Sequence, residues 1–284
     1  MDYNFDKDFK AIRDVLDISQ KEFAKVLDTE QKTISNIESK DSYPSKTIVE
    51  SAFTYAFKKD VKINKLKELL CRDNLSHDEK LLFHGSKGEI KGNIDVNFGR
   101  GNNDFGKGFY TGESYEQAVS VSTYDDPSVY FMSFDDSDLK CKRYSVDREW
   151  MMTIAYYRET LDKYENHPLI KKIIKESRDC DYIIAPIADN KMFETINDFI
   201  EGNLTDEQCK HCLAATNLGM QYVFLTEKAA SRLKIVERCY VCDKEREHYK
   251  KLKEDYRKLG NDKVKLAKAQ YRGVEKYIDE VLAC

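Results

Sequence analysis

The sequence predicts an α+β protein with helical segments at both ends. Three observations carry this reading. The first 60 residues form a string of short, capped amphipathic helices. Residues 80 to 240 alternate short apolar runs with helical periods and glycine-rich loops. The last 40 residues place apolar side chains at three- and four-residue spacing. A length of 284 residues allows two domains plus some extra. The boundaries are set at 1–60 for an all-helical domain, 61–79 for a helical linker, 80–242 for a central domain with a sheet, and 243–284 for a helical hairpin.

Composition narrows the class. Apolar residues make up 41% and charged residues 35%, enough for a core but on the polar side. Four prolines and twelve glycines exclude a low-complexity chain. No apolar run approaches ~18 residues, so no membrane helix is expected. Met1 to Asp6 lacks the basic start and apolar stretch of a secretory signal, so a cytoplasmic location is expected. Net charge is −4, from 47 basic and 51 acidic residues. A global field that attracts nucleic acid is therefore excluded, and any such contact needs a local patch. Without an export signal, the eight cysteines are reduced thiols, metal ligands or small buried apolar groups, not a disulfide framework.

In the first region, Phe9, Ile12, Arg13, Val15 and Leu16 give one amphipathic set. Ser19 and Glu22 form a capping box for the next helix. Thr29 can cap a third helix over 30–38, and Thr47 to Phe57 is another helix after Pro44. A short helix, a tight turn and a second short helix make a helix-turn-helix arrangement. The string "SQKEFAKVL…TEQKTISNIESKDSYPS" resembles the Cro/C1-type helix-turn-helix module of phage repressors, over roughly residues 7–60. The resemblance implies that Ala24 packs where the two helices touch and that Ile34 and Ile37 face the core. Gln31, Lys32, Thr33, Ser35 and Asn36 would face a DNA groove, where amides suit adenine edges and hydroxyls suit either base. Residues 1–60 carry ten basic against twelve acidic side chains. A module that binds a protein or a sister subunit therefore stays open beside a DNA operator, and DNA binding calls for a homodimer.

In the central region, Leu81 to His84 reads as a buried strand running into Gly85 and Ser86. A loop follows at 99–103, then Asp104 to Thr111, then a helix from Ser114 to Ser122. No G-x-G-x-x-G joins a strand to a helix, and no G-x-x-x-x-G-K-[ST] is present. Gly106 and Gly108 permit a tight turn or a close approach to a ligand. Tyr110 offers a ring face for stacking. By residue type alone, His84 is either a hydrogen-bonded structural histidine or a site residue.

"LLFHGS" followed by "FGKGFYTGES" resembles the NAD-binding motifs of the diphtheria-toxin and poly(ADP-ribose) polymerase branch of ADP-ribosyltransferases. "HGS…DFGKGFYTGESYEQA" resembles more closely an uncharacterised bacterial family with the same fold. The resemblance covers about residues 80–240. It implies a split β-sheet domain with helices, and NAD as a substrate. His84 would bond a ribose hydroxyl. The Gly85 backbone would hold the nicotinamide carboxamide with help from Ser86. Tyr110 would line the nicotinamide, with Gly108 and Phe109 beside it. The third motif falls at Gly219 to Leu225, and Gln221 stands where that branch has Glu. Gln accepts a ribose hydrogen bond but carries no charge, which points to transfer of a single ADP-ribose. His84, Tyr110 and Gln221 are thus the expected catalytic set. Val121 stands near the place of a further stacking aromatic, with Tyr115 and Tyr124 as substitutes. Asp104 and Lys107 would touch the NAD phosphate or the acceptor, or fix their loop. Glu227 is a reserve carboxylate or a helix start.

Other features read as structure. Val129 to Met132 and Tyr182 to Ala185 are expected strands, and Glu149 to Leu161 a helix with Trp150, Ile154 and Leu161 inward. Asp189 is expected to cap a helix. Cys209-x-x-Cys212 and Cys239-x-x-Cys242 look like zinc-ribbon halves, but their interval is too long and the first pair lies on a helix. They are read as core, with no metal expected. Tyr249, Leu252, Tyr256 and Leu259, then Val264, Ala267, Tyr271, Val274, Ile278 and Val281, make two apolar stripes split at Gly260-Asn261. This hairpin would pack on the central domain or on a partner. The expected function is an NAD-dependent mono-ADP-ribosyltransferase, a bacterial toxin or defence effector acting on a protein or nucleic acid. One alternative is a DNA-binding regulator whose transferase fold only binds NAD. Another is an interaction protein that binds an antitoxin or chaperone through its C-terminal helices.

Overall fold

Five helices open the chain: α1 (Phe5–Leu16), α2 (Gln20–Val26), α3 (Gln31–Glu38), α4 (Lys46–Lys58) and α5 (Ile63–Asn74). There follow β1 (Glu79–Gly85), β2 (Phe109–Gly112), α6 (Tyr115–Val119), β3 (Ser128–Asp135), β4 (Cys141–Arg143), α7 (Arg148–Tyr157) and α8 (Pro168–Arg178). The chain continues with β5 (Tyr182–Pro186), α9 (Asn190–Ile200), α10 (Asp206–Ala214), β6 (Met220–Phe224), α11 (Glu227–Ala230), β7 (Leu233–Tyr240), α12 (Asp243–Gln270) and α13 (Ile278–Leu282). This computed structural model describes residues 2–86, 88–122, 127–215 and 218–283, so Tyr124 lies outside the described residues. Among the described residues, no helix is long and apolar enough to cross a membrane. Two compact units interleave along the sequence. The first holds residues 1–91, 115–134 and 234–251, and the second holds 92–114, 135–233 and 252–284.

In the first unit, local chemistry sets the helix ends. Ser19 and Glu22 form the expected capping box, with the Glu22 amide donating to Ser19 Oγ at 3.2 Å and the Ser19 amide donating back at 2.8 Å. Asp17 and Asp28 take left-handed φ of 50° and 51° at the ends of α1 and α2, a conformation that Asp tolerates. The third helix departs from expectation. Its N-cap is Glu30, without a side-chain bond, and not Thr29. Its far end is held instead, because Arg13 grips Glu38 through two nitrogens at 2.6 and 2.8 Å and Gln20 adds a third bond at 2.9 Å. Phe9, Phe23, Ala24, Ile34, Ile37 and Phe53 fill a core that also takes in Tyr240 and Cys242. Three strands in the order β1-β3-β7 complete the unit. The Lys67 ammonium, on α5, pairs with Asp8 on α1 and with Glu237 on β7 (3.1 Å).

In the second unit, four strands run in the order β4-β5-β6-β2. β4 and β5 are parallel, while β5–β6 and β2–β6 are antiparallel. The helices start on side-chain caps: Asp147 for α7, His167 before Pro168 for α8, Asp189 for α9 and Thr205 for α10. Trp150, Ile154 and Leu161 point into the core, with Ile183, Ile196, Phe199 and Val223. The expected break at Gly260-Asn261 does not occur, and the C-terminal region is not a simple hairpin. α12 runs unbroken through both residues. A helical glycine costs only about 1 kcal/mol. Anchors stand on either side of it: Arg257 on Asp189 at 2.6 Å, and Lys268 on Asp198 at 2.9 Å. Ala267, Ile278 and Val281 are buried as expected, but Tyr256 and Leu259 are exposed.

One buried network in the first unit has a pH signature. Glu245 accepts from the Tyr115 hydroxyl at 2.9 Å and from the Asn64 amide at 3.0 Å. Asn64 also donates to the Tyr240 carbonyl at 2.8 Å. Burial pushes the Glu245 carboxyl up to about 7, against these hydrogen bonds, which favour its charged form. The native state therefore holds this proton more tightly than the unfolded chain. The associated stability is complete below about pH 4.5 and is lost as pH rises through about 7. Thermal unfolding of Glu245→Gln against the wild type should show the variant more stable at pH 8, by up to about 3 kcal/mol. The difference should shrink toward zero by about pH 5.

Candidate functional site

The first unit carries His84, Gly85 and Ser86. Leu81, Leu82 and Phe83 bury the centre of β1, and His84 is half-buried where the strand ends. Gly85 is required sterically. A Cβ there would lie 1.9 Å from the Ala118 carbonyl oxygen and 2.4 Å from a Val121 methyl, so α6 packs directly on the strand. Ser86 is buried, and its hydroxyl is committed to a local turn. It accepts from the Gly88 amide at 3.1 Å and donates to the Gly88 carbonyl. Of the expected stacking positions, Val121 is exposed and Tyr115 is fully buried against Phe83 and Phe131.

The second unit carries the other motif. Residues 104–108 fold tightly against the protein itself. Gly106 has φ +73°, and a Cβ on it would meet the Tyr157 ring at 2.8 Å. A Cβ on Gly108 would meet Val223 at 2.9 Å and the Phe224 carbonyl at 3.0 Å. The close approach that glycine permits is thus to α7 and β6. Tyr110 closes the loop. Its hydroxyl accepts from the Phe105 amide at 3.1 Å and donates to the Gly106 carbonyl at 2.8 Å. Burial holds this phenol well above its ordinary range, so it stays neutral and donates.

Strand register relates Tyr110 to Gln221. Tyr110 lies opposite Val223, and Gly112 lies opposite Gln221. Opposite residues share a face and alternate residues share a face, so Tyr110 and Gln221 are on the same side of the β2–β6 pair. Ala185 of β5 is opposite Gln221 from the other edge. Phe109 falls on the reverse side, opposite Phe224.

Gln221 is buried and its amide nitrogen is fully used. Nε2 donates to Asp104 Oδ2 at 2.9 Å and to the Pro186 carbonyl at 3.1 Å. Both partners act only as acceptors, which fixes the orientation of the amide. Asp104 is itself buried. Its Oδ1 takes Arg158 Nε at 2.9 Å and a second guanidinium nitrogen at 2.5 Å, while its Oδ2 also takes the Ala188 amide at 3.3 Å. Arg158 reaches the Ala188 carbonyl at 2.8 Å. Of the two loop residues singled out by sequence, Asp104 is built into the protein and Lys107 is exposed. Arg158 was missed. It lies 54 residues from Asp104 in sequence, at the end of α7, and no local pattern marks it.

The remaining expected residues are elsewhere. On α3, Gln31, Lys32 and Ser35 are exposed, Thr33 and Asn36 are half-buried, and Ile34 and Ile37 face the core. Glu227 starts α11. The buried Cys209 and Cys212 thiols face different main-chain carbonyls, Thr195 at 3.3 Å and Val264 at 3.7 Å. Cys239 and Cys242 are buried in the cores of the first unit.

Residues 81–235 match the family described as "Protein of unknown function (DUF3990)". That stretch is more than half of the chain, and the chain belongs to this family. No curated protein and no solved structure matches it. The matched stretch contains His84, Tyr110, Gln221, Asp104 and Arg158.

The two glycines around Ser86 give a matched test. Gly85→Ala forces a methyl into a backbone carbonyl and should cost about 3 kcal/mol, at the upper end for overpacking. Gly88→Ala meets nothing within 4 Å and should leave the denaturant midpoint within error. Equal midpoints for the two variants would contradict the α6 contact.

Proposed function

We propose that this member of the DUF3990 family is an NAD-dependent mono-ADP-ribosyltransferase acting on a protein or nucleic acid. The observation that carries the reading is the placement of Tyr110 and Gln221 on one face of the β2–β6 pair, with the Gln221 amide fixed. The motif pair HGS and DFGKGFY supports it. In the reaction, the bond from the nicotinamide nitrogen to ribose C1 breaks, and nicotinamide leaves with the bonding pair. An acceptor oxygen or nitrogen forms the new bond to C1 and gives up its proton. Positive charge develops on the ribose ring at the transition state, so groups that orient the ribose and exclude water lower the barrier. His84 and the Gln221 carbonyl serve the ribose hydroxyls. The Tyr110 hydroxyl is occupied in its own loop, so the tyrosine contributes its ring face to the nicotinamide. The Gly85 backbone and Ser86 complete the proposed binding set, while Gly108 packs on β6 and Phe109 lies on the reverse side of β2, so these two expected residues are left out of it. A neutral amide at 221 suits a single transfer.

The N-terminal helices add a second role in this reading. The outward side chains of α3 are polar, while its apolar residues are buried. Gln31, Lys32, Thr33, Ser35 and Asn36 would meet a DNA groove, with a dimer supplying two half-sites. Selection from a random duplex pool should enrich one sequence with the wild type. Gln31→Ala with Asn36→Ala should abolish that enrichment and leave the melting temperature unchanged. A pool that stays random with the wild type would remove this role.

The enzymatic reading is tested by labelled NAD added to the full chain and a cell lysate. Wild type should incorporate label and release nicotinamide. His84→Ala and Gln221→Ala, folded by circular dichroism, should each lose at least about tenfold, the effect of one transition-state interaction of about 1.4 kcal/mol. Neither label nor nicotinamide from the wild type would overturn the transferase reading.

A further inference from the structure

The departure of Gln221 from the carboxylate of the branch it resembles has a structural cause. The two groups that its Nε2 touches, the Asp104 carboxylate and the Pro186 carbonyl, offer only lone pairs. A charged Glu at 221 would set two carboxylates at hydrogen-bond distance in a buried place, where like charges are disfavoured. Asp104 cannot turn away, because Arg158 and the Ala188 amide hold both of its oxygens. With both amide hydrogens donated, Oε1 is the atom of Gln221 left for a bound molecule. A carboxylate on the amide N–H also draws electron density toward that oxygen.

We infer that Asp104 is a positioning residue: through the Gln221 amide it presents Oε1 as a fixed neutral acceptor for a hydroxyl donor, the ribose diol in the proposed function, and it excludes Glu from position 221. This rests on the transferase reading for the identity of the ligand alone. The pairing of Asp104 with Gln221 stands on hydrogen-bond polarity. The groups around position 221 that bear on its titration are Asp104 and Arg158, the neutral Tyr110 on the same face of β2, and Glu113, whose carboxylate accepts from the neighbouring Met220 amide at 3.0 Å.

The test compares the wild type, Gln221→Glu, Asp104→Asn and the double variant. The double variant reverses the polarity of the bond and keeps the net charge of the trio with Arg158. Gln221→Glu should melt lower than wild type, with a deficit that grows from pH 5 to pH 8, because only a protonated Glu can donate to Asp104. Asp104→Asn should also melt lower, since its amide meets donors on both sides. The double variant should recover part of the combined loss, the part owed to the contact between 104 and 221, because the Pro186 carbonyl and the Ala188 amide still oppose the reversed pair. Its melting point should fall less between pH 5 and pH 8 than that of Gln221→Glu. Additive losses, or a Gln221→Glu deficit that ignores pH, would overturn the assignment. NAD binding by calorimetry on the same four proteins separates the two ideas. Each single variant should weaken NAD binding by about tenfold, or 1.4 kcal/mol. Coupled melting points without NAD binding by the wild type would support the positioning role and remove the transferase reading. NAD binding without coupled melting points would do the reverse.

Discussion

The Asp104 carboxylate is the constraint on which the second unit turns. One buried anion collects a guanidinium from the end of α7, a main-chain amide from the start of the α9 turn and a side-chain amide from β6. Removing one partner of such a buried pair typically costs about 3–5 kcal/mol, because the other charge is left without compensation. The loop that carries Asp104 is in turn tied by the Tyr110 hydroxyl and pressed against Tyr157 at Gly106. Loop, helix and strands therefore hold Gln221 in one orientation.

Much of this was legible in the sequence, and the rest was hidden for physical reasons. The capping box at Ser19, the strands at 81–84, 129–132 and 182–185, and the helix start at Asp189 all follow from local chemistry. Their information lies within a few neighbouring residues. The partner of Asp104 was not readable, because Arg158 is brought to it by packing across 54 residues. Gly106 and Gly108 were read correctly as places of close approach, but α7 and β6 make that approach. A glycine reports a missing Cβ and cannot name what fills the space. Gly260 misled for a related reason, since its modest helix cost is overridden by anchors on both sides of it.

The N-terminal helices have their own lesson. Tyr240 and Cys242, from the end of β7 and just beyond it, lie in the same core as Phe9, Phe23 and Phe53. Lys67 draws Asp8 and Glu237 together, and Asn4 adds bonds to Glu237 at 3.0 and 3.1 Å. These helices belong to the first unit, together with residues 61–91, 115–134 and 234–251. The amphipathic period showed which faces are buried. It could not show that the facing surface comes from residues as far as 233 positions away.

The central claim is that a held amide at position 221 offers its carbonyl to NAD. The most direct measurement is the side-chain NH₂ signal of Gln221 in protein labelled with ¹⁵N-glutamine, assigned by its loss in Gln221→Met and followed during NAD titration. The account predicts slow hydrogen exchange in the unliganded protein, since both hydrogens are bonded, and a saturable shift of the pair on adding NAD. A pair that exchanges as fast as surface glutamines, or stays in place at millimolar NAD, would contradict it.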